Sequence, residues 1–293
     1  MFAGSLVAIV TPMRADGAID FEAWARLLDF HAANSTDGIV VGGTTGESAT
    51  LRDAELRELL LRACEQLRGR VVVIAGAGTS STASTVERVE WLSELPLDAL
   101  LLVTPAYNRP PQEGLYRHFA AAAGAARKPL LLYNVPARTA VDMKPVTVAR
   151  LARLKGIVGI KEAVPEIARV RELVALCPQD FAVLSGDDAT ARASIAAGAR
   201  GVISVTANVA PRAMSQMLAA ARRGDVAHAA ELDAPLGALH RELFIEANPI
   251  PAKWLLAQMG LIGAGLRLPL TPLSEAHHDT VRAAARAAGV LAA

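Results

Sequence analysis

Cysteine is scarce in this 293-residue chain. Cys64 and Cys177 stand far apart and neither has a C-x-x-C partner. That excludes a disulfide framework and points to a reducing, cytoplasmic compartment. An excess of charge of either sign is also missing, with 30 Lys and Arg against 29 Asp and Glu. A nucleic-acid binder would carry a basic surplus. No apolar run approaches the roughly 18 residues of a membrane span. The apolar stretch from Phe2 to Val10 has no basic residue before it and no A-x-A pattern after it, so it reads as a first strand rather than a leader. Lysine and tyrosine are rare. The lysines are Lys128, Lys144, Lys155, Lys161 and Lys253, and the tyrosines are Tyr107, Tyr116 and Tyr133.

What is present is apolar and regular. Hydrophobic residues make up 52% of the chain and charged ones 20%, which excludes disorder. Short β-branched or apolar runs recur at Leu6–Thr11, Gly38–Gly42, Val71–Ala75, Ala99–Thr104, Leu130–Asn134, Ile157–Glu162, Ala182–Ser185 and Val202–Thr206. Most are continuous rather than alternating, as expected of parallel strands buried on both faces. Between them lie segments of helical period. Phe21–Asn34 puts Phe21, Trp24, Leu27, Leu28 and His31 on one stripe, and Asp53–Leu67 does the same with Leu56, Leu59, Leu60, Ala63 and Leu67. Eight βα units predict an α/β fold, a (β/α)8 TIM barrel over residues 1–224. Pro211–Arg223 closes it. Val226–Leu243, Pro249–Gln258 and Ser274–Ala288 predict a C-terminal helical region over 225–293, with Pro235, Pro249 and Pro251 as kinks or starts. An open doubly wound sheet would need a glycine-rich first βα turn, and Thr11-Pro12-Met13-Arg14 is not one. Gly76-Ala77-Gly78 lacks the third glycine of a dinucleotide fingerprint.

A barrel carries its chemistry at the C-terminal ends of its strands. Lys161, in Gly156-Ile-Val-Gly-Ile-Lys-Glu-Ala163, is the strongest candidate there. A buried strand disfavours a charged, unpaired amine, and a neutral amine is the nucleophile a Schiff-base enzyme needs. The bland alternative is a strand-end lysine paired with Glu162 or Asp187. Thr44-Thr45, between glycines, suits an anion cradle, or else caps the next helix. Tyr133 is placed to relay a proton, or simply to fill the barrel mouth. Arg138 is placed to clamp a carboxylate, or to sit in solvent. Asp187-Asp188 has no neighbouring ligands of metal spacing, so no metal is expected. His277-His278 reads as solvated surface, and the two cysteines read as ordinary thiols.

Together these segments resemble the dihydrodipicolinate synthase family of class I, pyruvate-dependent aldolase-like enzymes. The resemblance is carried by Gly4–Pro12, Gly43-Thr-Thr-Gly-Glu-Ser-Ala-Thr50, Tyr133-Asn-Val-Pro-Ala-Arg-Thr139, Gly159-Ile-Lys-Glu-Ala163, Leu184-Ser-Gly-Asp-Asp188, Gly201–Asn208, Asn248-Pro-Ile-Pro-Ala-Lys-Trp254 and Leu268-Pro-Leu-Thr271, and it spans essentially the whole chain. It implies condensation of pyruvate with L-aspartate 4-semialdehyde to 4-hydroxy-tetrahydrodipicolinate, without metal or organic cofactor, in a homotetramer built as a dimer of dimers. It implies that Lys161 forms the Schiff base, Tyr133 donates and accepts the proton, and Thr44 relays it. Thr45 would bind the pyruvate carboxylate, and Tyr107 would complete the relay from a neighbouring subunit. Arg138 would meet the semialdehyde carboxylate, Ile203 would touch pyruvate through its backbone, and Gly186 would line the pocket. Ala106 departs from the family, which commonly has a tyrosine there. Lysine-inhibited relatives bind lysine at an intersubunit cleft whose positions here read Asp53, Leu56, Ser80, Ser84 and Ala106, without the carboxylate expected at Ser84. The competing readings are another pyruvate lyase, such as N-acetylneuraminate lyase or a 2-keto-3-deoxy sugar acid aldolase, and a non-catalytic barrel. The first is disfavoured by Arg138 with the Thr44-Thr45 pair. The second should have lost Lys161, Tyr133 or Thr44.

Overall fold

The computed structural model describes residues 2–292. Eight strands, β1 (Gly4–Ala8), β2 (Gly38–Val41), β3 (Val72–Gly76), β4 (Ala99–Val103), β5 (Leu130–Asn134), β6 (Ile157–Glu162), β7 (Ala182–Ser185) and β8 (Gly201–Ser204), close into a barrel in chain order. Each pairs in parallel with the next, and β8 returns to β1. The predicted (β/α)8 TIM barrel is the fold. The strand residues are buried almost throughout, because a second layer of helices covers the outer face. These helices are α1 (Phe21–Ala33), α2 (Asp53–Leu67), α3 (Thr82–Ser93), α4 (Gln112–Ala125), the single turn α5 (Pro136–Thr139), α6 (Pro145–Leu151), α7 (Ile167–Leu176), α8 (Ala191–Ala196) and α9 (Pro211–Arg222). The apolar period of α2 is realised in full: Leu56, Leu59, Leu60, Ala63 and Leu67 are all buried. On α1, Asp20 caps the first N–H groups, and the stripe buries Trp24, Leu27, Leu28 and His31. Phe21, expected on that stripe, is only half buried, under the Arg62 guanidinium.

Strand alternation sorts side chains into two layers. Leu6, Ala8, Val40, Ile74, Leu101, Leu131, Tyr133, Leu184 and Ile203 fill the barrel interior. Their strand neighbours, such as Leu132 and Ile160, pack against the helices. The interior is tight enough that Gly159 is required: a Cβ there would come within 2.5 Å of the Ala182 carbonyl oxygen.

Two strands end earlier than their apolar runs. β1 was expected over Leu6–Thr11, but the Val10 N–H donates to Asn208 Oδ1 at 3.0 Å instead of to a strand. β8 was expected to Thr206, but the Val205 and Thr206 N–H groups turn to Asp188 Oδ2 at 2.9 and 2.8 Å. Both strands begin at a glycine instead. Gly4 pairs with Gly201, where a Cβ would come within 2.4 Å of the Gly4 carbonyl oxygen.

The C-terminal helices are α10 (Val226–Asp233), α11 (Gly237–Glu242), α12 (Ile250–Gln258) and α13 (His278–Ala287). The single helix expected over Val226–Leu243 is broken, because Pro235 has no N–H and a 3-10 turn over Ala234–Leu236 replaces the α ladder. The reading of His277-His278 as solvated surface is corrected for His278. Its ring stacks on Trp254 with centroids 4.7 Å apart, and it fastens α13 to α12.

Candidate active site

Lys161 projects into the barrel interior from the fifth position of β6, between the outward-facing Ile160 and Glu162. It is 5% exposed, and its amine makes no ion pair or hydrogen bond among the described residues. The pairing with Glu162 or Asp187 that sequence alone left open is therefore not formed. Its nitrogen lies 4.6 Å from the centroid of the Tyr133 ring, and Tyr133 is its register partner on β5. The amine opens into a cavity of about 400 Å³ at the C-terminal end of the barrel. Thr44, Thr45, Tyr133, Arg138, Lys161 and Gly186 all line it. Gly186 is needed for space, since a Cβ there would stand 3.0 Å from Lys161 Cε and 2.9 Å from Ala163 Cβ.

The Thr44-Thr45 turn follows β2. Its later N–H groups are spent within the turn, Gly46 on Gly43, Glu47 on Thr44 and Ser48 on Gly43. The N–H groups of Thr44 and Thr45 donate to no acceptor among the described residues, so two adjacent donors in a turn that lines the cavity are unspent, as an anion cradle requires. The threonines do not cap the next helix, whose N-cap is Arg52. Thr45 is buried, and its hydroxyl accepts from Asn248 Nδ2 at 2.9 Å. Glu47, held at φ 57°, is buried in an ion pair with Lys253 of α12 and accepts from the Arg267 N–H at 3.2 Å. Burial pushes the Lys253 amine down, and Glu47 acts against it. The C-terminal region therefore anchors the turn from both sides.

Arg138 lies on α5, which Pro136 starts with its fixed φ. It has no carboxylate partner among the described residues, and its Nη2 donates to the Asn248 carbonyl oxygen at 3.3 Å. Its charge is free to meet an anion at the cavity wall. Two expected residues are not among those whose side chains line the cavity. Ile203 is fully buried in the interior layer, and Val205, two positions on, lines the cavity instead. Tyr107 is 92% exposed at φ 72° and lines neither the cavity nor the cleft beside it in this chain. A second cleft of about 370 Å³ adjoins the first and shares Thr44 and Tyr133 with it. Ser48, Ala49, Ser80, Arg88 and Ala106 also line it.

Sequence reasoning missed Asn248, Phe244 and Val205 in the cavity wall, and the Glu47–Lys253 pair beneath it. The available signal was two polar residues, Asn248 and Lys253, inside an otherwise apolar segment. Asp188 is structural, since its Oδ2 takes the Val205 and Thr206 N–H groups just past β8. No group of three or more His, Cys, Asp or Glu gathers with metal-ligand spacing among the described residues. Burial pushes both cysteine thiols up to about 11, so neither is a ready thiolate.

The model of the dihydrodipicolinate synthetase family matches residues 1–288. A 4-hydroxy-tetrahydrodipicolinate synthase of Alkalilimnicola ehrlichii is 54% identical over 99% of this chain and 100% of that one. A solved structure of the chloride-inhibited dihydrodipicolinate synthase from Acinetobacter baumannii complexed with pyruvate superposes with a TM-score of 0.98 at 45% identity, over 99% and 100% of the two chains. A monomeric dihydrodipicolinate synthase variant superposes with a TM-score of 0.96 at 42% identity, over 99% and 98%.

Proposed function

The chain belongs to the dihydrodipicolinate synthetase family, and on that premise we propose that it condenses pyruvate with L-aspartate 4-semialdehyde to 4-hydroxy-tetrahydrodipicolinate through a Schiff base on Lys161. One observation carries the assignment of the residues. An unpaired, buried amine stands beside Tyr133 in a cavity whose wall holds the two free N–H groups of Thr44 and Thr45. The reading divides the chain into a catalytic barrel, 1–224, and a helical region, 225–293, that lends Asn248 to the site.

The Lys161 amine adds to the pyruvate ketone carbon, and the ketone oxygen leaves as water. The resulting iminium withdraws electrons, so a methyl proton is lost and an enamine forms. The enamine carbon bonds to the aldehyde carbon, whose oxygen takes up a proton. The amino group of the second substrate then adds to the iminium carbon, breaks the bond to Lys161 and closes the ring. Every step moves at least one proton, and loss of water takes two onto the departing oxygen. Tyr133 is the group beside the amine that can carry these protons, and Thr44, shared by both clefts, connects Tyr133 outward. Thr45 and the turn N–H groups hold the pyruvate carboxylate, and Arg138 holds that of the semialdehyde. No step calls on a metal or organic cofactor. Borohydride in the presence of pyruvate should trap an adduct that maps to Lys161, and a coupled assay should show semialdehyde consumption. No trapped adduct, or an adduct without turnover on the semialdehyde, would overturn the reading.

The outward Tyr107 supports a homo-oligomer, in which Tyr107 of a second copy reaches the cleft beside Thr44. One solved relative is a monomeric variant, so the argument rests on this chain: a tyrosine 92% exposed and held at positive φ is presented to solvent or to a second copy. Tyr107→Phe is expected to lower turnover about ten-fold, the size of one lost hydrogen bond, without moving the melting temperature. A fully active dilute monomer would contradict this. The two unpaired cysteines fit a cytoplasmic setting, and no helix among the described residues is long and apolar enough to cross a membrane.

Feedback by lysine is not expected. Asp53, the nearest substitute for the missing carboxylate, is taken by Arg88 at 2.6 Å, and Arg88 brings a positive charge to the cleft wall. Among the described residues no carboxylate lines that cleft to meet an ammonium ligand. Initial rates should be unchanged by millimolar L-lysine, and strong inhibition at sub-millimolar concentration would refute this.

A further inference from the structure

Lys161 and Tyr133 face each other across the β5–β6 ladder, and the next residues, Asn134 and Glu162, face each other on its outer side. Asn134 Nδ2 lies 3.1 Å from both Glu162 carboxylate oxygens. Glu162 also accepts from the Val164 N–H at 2.9 Å, and Arg169 of α7 approaches it at 3.9 Å. Asn134 donates in addition to Asp142 Oδ1 at 3.0 Å and accepts from the Met143 N–H at 2.9 Å. Asp142 is itself paired with Arg169 and Lys144. At the other end of the ladder the pairing is irregular. Leu130 faces Ile157 but Leu131 faces Gly159, so the strands slip by one residue near their start. Beyond that slip the register is regular through Tyr133 and Lys161, and the Asn134–Glu162 contact fastens its last pair.

We propose that Asn134 and Glu162 are positioning residues, a clasp on the outer face that sets the alignment of Tyr133 with Lys161 on the inner face. The inference rests on the Schiff-base reading above. A carboxylate is what the clasp requires. Its two oxygens accept from Asn134, Val164 and the Arg169 side at once, whereas a glutamine would turn an NH2 toward the Asn134 NH2 or toward Arg169. The carboxylate is also costly. Burial pushes Glu162 up to about 7, only partly offset by Val164, Asn134 and Arg169. Its folded value lies above its unfolded one. The stability it adds is thus present in acid and is lost as the pH rises through about 7, leaving a net cost above that. A residue that costs stability at pH 8 is expected to serve another purpose.

The test uses Glu162→Gln and Asn134→Ala at pH 8, with pyruvate and borohydride as the probe. Glu162→Gln should melt no lower than the parent, and Asn134→Ala, which strips buried hydrogen bonds from Glu162, Asp142 and Met143, should melt lower, so both are assayed well below their melting temperatures. Each should form the trapped adduct about ten- to hundred-fold more slowly, with turnover reduced and KM for pyruvate unchanged. The double variant should lose no more than the worse single one, because both break the same clasp. Ile160→Val, a core change on the same strand, should leave the adduct rate alone. Adduct formation at the parental rate in both single variants would overturn the clasp and leave the Schiff-base reading standing, as would losses that only track a fall in melting temperature. A parent that forms no adduct would overturn both.

Discussion

Lys161→Ala is expected to abolish the borohydride-stable adduct with pyruvate and to lower turnover by several orders of magnitude, while the barrel stays folded. The nucleophile cannot be replaced from elsewhere. Lys253 is buried in its ion pair with Glu47. Lys128 and Lys155 line a groove beside the starts of β5 and β6, the opposite end of the barrel from the cavity. Lys144 is exposed and paired with Asp142. The fold should tolerate the change, because the amine holds no hydrogen bond or ion pair that the alanine would break. Peptide mapping of the trapped parent and variant reads the result. An adduct on Lys155 or Lys253 would sink the assignment.

Arg138→Ala is expected to weaken use of the semialdehyde by about 10- to 150-fold, while adduct formation with pyruvate stays near the parental rate. The lost bond is one between a charged donor and a carboxylate, worth roughly 1.5–3 kcal/mol. Among the described residues the guanidinium makes one hydrogen bond, to the Asn248 carbonyl oxygen, so little structure depends on it. Steady-state KM and kcat with each substrate varied in turn separate the two effects. Equal losses for both substrates would show that Arg138 shapes the cavity as a whole.

Much of the barrel was legible because its signals are local. The helix over Asp53–Leu67 and the strands Leu130–Asn134, Ile157–Glu162 and Ala182–Ser185 stand where the periodicity put them. The errors have non-local causes. The ends of β1 and β8 are set by side chains of Asn208 and Asp188, which take N–H groups from strands that sequence cannot place beside them. The kink or start expected at Pro235 is a local signal, and there the missing N–H gives a 3-10 turn over Ala234–Leu236.

Residue types and strand periods by themselves determined an eight-stranded α/β barrel, and placed a lysine, two threonines, a tyrosine and an arginine at the ends of its strands. Those properties follow from burial and backbone geometry acting over a few residues. Only the tertiary structure decided which groups meet. It left the Lys161 amine unpaired and Tyr107 facing outward, and it carried Asn248 from the C-terminal region to the Thr45 hydroxyl, 203 positions away in sequence. It also set Asn134 against Glu162 behind Lys161 and Tyr133. Such contacts depend on barrel closure and on one-residue register between strands, where a slip of one position turns every side chain to the opposite face.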